Sequence, residues 1–254
     1  MAELVELNSA THGDLKVVGN SGIRRAADQH VINLRVGEIG KAVGDFPIFA
    51  TRISQSGKWA LSAMCSFEPN KNLFVEGEEW VALYRPTMMQ TYPLFLMNAP
   101  DQEKGYCIGV NEQDPSFSRE TGESLFDGNG KATIYLSNVT TMLDADIKND
   151  MQTHKFIERL NELKLFNEID LLVQLEDDSV QTIKGLNTIN EDVLQSLSSE
   201  LLTELHKNGY LAAIYALLIS TNQLNGLIRK QNLREGFTNI KRIKLETAKD
   251  ATAA

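Results

Sequence analysis

Between residues 74 and 95 the rings of Phe74, Trp80, Tyr84, Tyr92 and Phe95 are interleaved with the charges of Glu76, Glu78, Glu79 and Arg85. Aromatic faces beside a few charged groups are what a sugar- or peptide-binding cleft uses: the rings cover apolar surface and the polar groups fix orientation. The same rings also anchor small sheets, so core packing is the competing reading. Trp80, Tyr84, Arg85 and Tyr92, with Glu123 and Asp127 further along, are the candidate ligand-binding residues. None of them is assigned a catalytic role.

Familiar catalytic signatures are missing. The sequence has no G-x-x-x-x-G-K-[ST] or G-x-G-x-x-G loop, no G-x-S-x-G elbow and no H-E-x-x-H helix. His12, His30, His154 and His206 are scattered, none at metal-ligand spacing from another His or a carboxylate, and His154 and His206 read as solvated imidazoles. Asp127-Gly128-Asn129-Gly130 lacks the closing Glu of a calcium loop and reads as a hairpin turn. Glu176-Asp177-Asp178 reads as a solvated turn, because acid–base pairs need surroundings that push two pKa values apart. Cys65 and Cys107 make neither a disulfide framework nor a zinc site and read as buried thiols, with a single bridge left open. No cofactor and no metal are expected.

Charge narrows the partners. With 34 acidic and 25 basic residues the formal net charge is −9, which disfavours nucleic acid. The helix expected over Tyr210–Leu227 carries no Lys or Arg, which excludes a DNA-recognition role. Basic residues concentrate after Arg229, from Lys230 and Arg234 to Lys249, and read as a helix end followed by a frayed terminus. Docking of an acidic partner or anionic lipid is the alternative there. The N-terminal residues lack the basic and apolar regions of a secretory signal, and the longest apolar stretch, Leu211–Ile219, has nine residues. A bilayer span needs about 20. A cytoplasmic protein without a membrane span is therefore expected.

The elements that must position these residues divide near residue 140. Before it, turns punctuate short strand-like runs; after it, helical periodicity dominates. Ile32, Leu34 and Val36 alternate with polar residues as in a half-buried strand, and Glu38–Val43 reads as a short helix. Pro47–Ile53 and Lys58–Phe67 flank the turn Ser54-Gln55-Ser56-Gly57; Pro93–Met97 pairs with Tyr106–Val110; Ala132–Leu136 follows the Asn-Gly turn as a strand. Helices are expected from Asp150 to Lys164, after Thr188 in a capping box with Glu191, and after Ser198 as N-cap, with Gly209 as a left-handed C′ residue. Leu171–Leu175 and Val180–Ile183 form a short hairpin, and Tyr210, Ile214, Leu217, Leu224 and Ile228 mark one long, largely buried last helix. The expected fold class is α+β: a largely antiparallel sheet in residues 1–140, a helical part in 141–232 packed on it as one continuous domain, and a basic, flexible tail in 233–254.

An ordered series of short motifs carries a family resemblance. It runs Phe46-Pro47-Ile48, Asn72-Leu73-Phe74, Trp80, Tyr84, Pro86 and Tyr92-Pro93. Then come Gly122-Glu123-x-Leu125-Phe126-Asp127-x-x-Gly130, Gly185-Leu186-x-x-Ile189 and Leu205-His206-x-x-Gly209-Tyr210-Leu211-x-x-Ile214-Tyr215-Ala216, with Ser220 after it. Over residues 1–232 the chain resembles the bacterial SapC family. The resemblance implies an association with surface layers or TonB-dependent nutrient uptake, and assigns no reaction. Relatives commonly place one or two Arg before Tyr-Pro; here Met89-Gln90-Thr91 precede Tyr92.

The expected function is a SapC-like accessory or binding protein for a small molecule, sugar, peptide or protein partner. The alternatives are an enzyme, a hydrolase or a peptide or sugar modifier, whose site is assembled from distant residues, and a structural protein of cell-surface assembly. A homodimer is expected if half of the last helix is exposed.

Overall fold

The computed structural model describes residues 4–53, 57–100 and 105–248. Its strands, in chain order, are β1 (Val5–Glu6), β2 (Lys16–Val17), β3 (Val31–Leu34), β4 (Ile48–Arg52), β5 (Trp59–Met64), β6 (Val75–Glu76) and β7 (Glu79–Trp80). They continue with β8 (Phe95–Asn98), β9 (Tyr106–Val110), β10 (Phe117–Ser118), β11 (Glu123–Ser124), β12 (Phe166–Leu175), β13 (Val180–Ile189) and β14 (Ile240–Thr247). The helices are α1 (Ser9–His12), α2 (Ser21–Ala27), α3 (Ile39–Ala42), α4 (Thr87–Thr91), α5 (Ile134–Glu162), α6 (Glu191–Gln195), α7 (Ser199–Lys207), α8 (Tyr210–Ser220) and α9 (Gln223–Asn232). Sheet pairing is antiparallel throughout, and the fold is α+β.

Contacts divide the chain into two compact units that interleave in sequence. The first takes Met1–Ala26, Val75–Trp80 and Thr87–Lys148. It holds the small sheets β1-β9-β8, β10-β2-β11 and β6-β7. Its core gathers Leu94, Val110 and Leu125 with Leu136, Val139 and Leu143 of α5, whose spacing of three and four puts them on one helix face.

The second unit takes Ala27–Phe74, Val81–Pro86 and Asn149–Ala254. Its six-stranded sheet has the order β14-β12-β13-β4-β5-β3. Alternation builds one face of it: Ile169, Leu171, Val173 and Leu175 of β12 are buried in turn, while β5 is buried on both faces from Ala60 to Met64. Helix α8 contacts β4, β13, α3 and α7 through the side on which Ile214 and Leu217 are buried. Burying each such side chain is worth roughly 1.5–3 kcal/mol. Ser220, fully buried at the end of α8, accepts from the Ile48 N–H at 3.0 Å and donates to the Leu217 carbonyl at 2.6 Å, tying the helix to β4.

Several expectations hold. The β4–β5 and β8–β9 hairpins form, although the turn residues 54–56 lie outside the described residues. Ser198 caps α7, and Gly209 takes φ 73° between α7 and α8. Others are corrected. The hairpin read at Leu171–Leu175 and Val180–Ile183 forms as β12 and β13, but it is longer than expected and joins the large sheet together with β14. Ala132–Leu136 is not a strand: Thr133 Oγ1 accepts from the Leu136 N–H at 3.2 Å and starts α5, 29 residues long. Asn190, not Thr188, caps α6. The long last helix is two helices, α8 and α9, separated at Thr221 and Asn222. The segment read as a flexible tail contains β14, paired along β12 from Ile169 to Leu175, while residues 249–254 lie outside the described residues.

By length and composition alone, Tyr210–Asn232 would suffice to cross a membrane. Here Ile214, Leu217, Leu224 and Leu227 of that stretch are buried within the protein.

Candidate functional site

A cavity of about 810 Å³ opens on the six-stranded sheet of the second unit. Strand alternation sets its lining. Because Ile169 and Leu171 of β12 are buried, Phe166 and Glu168 stand on the other face, with Glu168 opposite Asn187 in register. On the neighbouring strands Ser62 of β5 lies between Asn33 of β3 and Phe49 of β4, again in register. Strands β13 and β4 share a single paired position, Asn187 with Ala50, so the cavity lies on a thin seam of the sheet.

A β-bulge sharpens this placement. Ile169 pairs with Leu186 and Leu171 with Ile183, so Lys184 and Gly185 together face the single residue Asp170. Gly185 takes φ 76°, a left-handed conformation open to glycine at little cost. A regular strand would present alternate residues to the cavity; this one presents Ile183 through Asn187 without a break.

The lining combines hydrogen-bonding groups with rings. Thr51 and Ser62 hydroxyls lie 2.7 Å apart, and Ser62 donates to Asn33 Oδ1 at 3.4 Å. Trp59 stacks on Phe166 with ring centroids 5.1 Å apart, and the Arg52 guanidinium lies 4.4 Å from the Trp59 ring. Asn187 is only 8% exposed, and its side-chain amide makes no hydrogen bond among the described residues.

The six residues singled out in the sequence lie elsewhere. Trp80, half-buried on β7 opposite Val75, Tyr92, Glu123 and Asp127 belong to the first unit. Tyr84 and Arg85 belong to the second. None lines the 810 Å³ cavity. Tyr84 is a tether: its hydroxyl donates to Glu38 Oε1 at 2.6 Å and its N–H to Asp45 Oδ2 at 2.8 Å. Glu123 is exposed on β11. Asp127 Oδ1 accepts from the N–H groups of Asn129 and Lys131, both at 2.9 Å, and so builds the turn read from the sequence. Of the other rings, Phe74 is buried against Phe46 at 4.5 Å, and Tyr92 meets Phe95 edge-on.

Two polar pairs in the first unit were not legible from spacing. Buried His12 has Nδ1 3.1 Å from the Asn8 N–H and Nε2 2.9 Å from Glu112 Oε1. The Tyr92 hydroxyl donates to Asp114 Oδ2 at 2.6 Å, and the Ser116 N–H to Asp114 Oδ1 at 2.9 Å. Neither Cys65 nor Cys107 is in a disulfide among the described residues. Burial pushes the Cys65 thiol far above its ordinary range, which removes it as a nucleophile. His154 is exposed beside Glu158, and His206 is exposed on α7.

Fold and cavity together define an α+β protein whose antiparallel sheet carries a polar and aromatic recess on one face. The SapC family model matches residues 7–227, most of the chain. The protein belongs to the SapC family. No curated protein and no solved structure matches it. The family match takes in every strand that lines the cavity and stops short of β14.

Proposed function

We propose that this SapC-family chain acts as a binding or accessory protein, with the cavity on the six-stranded sheet as its ligand site. The observation that carries this reading is Asn187: a largely buried residue whose side-chain amide makes no hydrogen bond among the described residues, in the wall of a recess of about 810 Å³. Small-molecule sites typically measure about 300–1,000 Å³ and combine apolar walls with a few placed polar groups. Phe49, Trp59 and Phe166 supply the walls, and Asn33, Thr51 and Asn187 the polar groups. A small molecule or sugar suits this lining better than a folded partner. The link to surface layers or nutrient uptake rests on the family resemblance, and fractionation of cells producing the protein tests it.

A thermal-shift screen of sugars, amino acids and short peptides tests the site. At least one class should raise the melting temperature, and Asn187→Leu should abolish that rise while leaving the protein folded. Hits that respond equally in both proteins would move the site elsewhere. The homodimer draws support from α8, where Tyr215 is 50% and Ile219 60% exposed. Light scattering should then show a dimer that Ile219→Lys converts to a monomer.

A further inference from the structure

The charges around the cavity are not balanced. Arg52 and Lys184 both line it, and neither forms an ion pair among the described residues. The Arg52 guanidinium is held in place by Trp59 and by a 3.3 Å hydrogen bond to the Gly57 carbonyl. Among the described residues, Glu168 is the one carboxylate in the lining. The lining therefore carries a net positive charge within a chain whose formal net charge is −9. A cationic recess in an acidic molecule concentrates field lines and favours an anion.

Backbone geometry places the two cations on the same side of Asn187. In the antiparallel pairing of β13 with β4, Asn187 faces Ala50, so stepping back to Lys184 and forward to Arg52 runs in one direction. Glu168 faces Asn187 itself. Two to three residues of strand, about 7–10 Å, thus separate a cationic end from a carboxylate and amide end. The bulge at Gly185 is what brings Lys184 into the lining beside Leu186.

We propose that the cavity takes a small organic anion, a carboxylate on an apolar body, with its charge held by Arg52 and Lys184 and a hydrogen-bonding group met by Asn187. This rests on the cavity being a ligand site. A single negative charge matches the net charge of the lining, and Trp59 and Phe166 flank the apolar body.

The test uses Trp80→Phe, which leaves Trp59 as the only tryptophan of the two in the chain, so that emission reports on the cavity. Phenylacetate, phenylacetamide and phenethylamine share one ring and differ in charge. Phenylacetate should change Trp59 emission with an affinity at least about tenfold above the other two, a difference that added salt diminishes. Lys184→Met, an exposed position, should weaken phenylacetate about tenfold with an unchanged urea midpoint. Equal or tighter binding of the amide or the amine, or no effect of Lys184→Met, overturns the anion while leaving the ligand site standing. If none of the three alters the emission at roughly millimolar concentration, both fail.

Discussion

The Tyr92 ring meets Phe95 edge-on, and its hydroxyl is held within the first unit. Its ring stands out in the sequence as a ligand contact, yet its hydroxyl is committed to Asp114. Burial, followed by that neighbouring carboxylate, raises the Tyr92 pKa above its ordinary value. Burial alone would also raise Asp114, but the hydrogen bonds from Tyr92 and Ser116, with the charge of Arg25, outweigh it and hold Asp114 below the usual carboxylate range. A carboxylate with a depressed folded-state pKa stabilises the protein above its unfolded value, near 3.9, and that contribution fades as pH falls through the folded value. Tyr92→Phe should therefore cost about 1 kcal/mol near neutral pH, less than a fully buried charged hydrogen bond because the pair is part-exposed. Urea unfolding at about pH 7 and about pH 3 should show that difference shrinking in acid. Ser62 did leave a trace in the sequence as a polar residue inside the mostly apolar strand run Leu61–Phe67, whereas Asn187 sits beside Thr188 in a mixed run and left none. Without strand partners, nothing distinguishes such a residue from an ordinary solvent-facing one.

At the level of elements, strong local signals were legible and non-local pairing was not. Gly209 and Ser198 were readable because a left-handed C′ residue and an N-cap depend on a few adjacent residues. Strand β14 was missed because its charges, Lys241, Arg242 and Lys244, resemble those of a solvated tail. Those charges have another use on a sheet edge, where lysines discourage pairing with further chains. Lys241 reaches Asp178 at 2.7 Å and Arg242 reaches Gln174 at 2.6 Å, so the strand is also fastened to its neighbours. Ending the chain after Gly236 should expose the edge of β12, which carries Glu168 and Asp170 but no lysine or arginine, lower the melting temperature and give aggregates visible by light scattering. Gly122 makes a second element-scale case. It takes φ 121°, and an added Cβ would sit 2.3 Å from the Val17 carbonyl oxygen, where β11 runs beside β2. Gly122→Ala should cost roughly 2–4 kcal/mol in chemical denaturation, whereas Gly57→Ala, with open space around it, should cost less.

For the molecule as a whole, the sequence supplied the class but not the partition. A boundary near residue 140 follows the change in periodicity, while the two units exchange chain five times, at residues 26, 74, 80, 86 and 148. Units joined by so many strands of chain, and by the unbroken α5, should not unfold one at a time. Trp59 and Trp80 lie in different units, so single-tryptophan variants should give coincident urea transitions. The cavity was hidden for a related reason: its lining comes from five stretches between His30 and Asn187, and no spacing rule spans that distance. One feature of that lining also fixes how the chain tolerates changes of length. In most strands, losing a residue turns everything beyond it inside out. Strand β13 already carries its surplus at Gly185, so excising that residue would bring the two halves of the hairpin into phase with every inward side chain still inward. A branched side chain at the same place would meet open space but would have to hold a φ of 76°, which such residues rarely adopt. This strand should forgive shortening and resist filling, the reverse of the usual order.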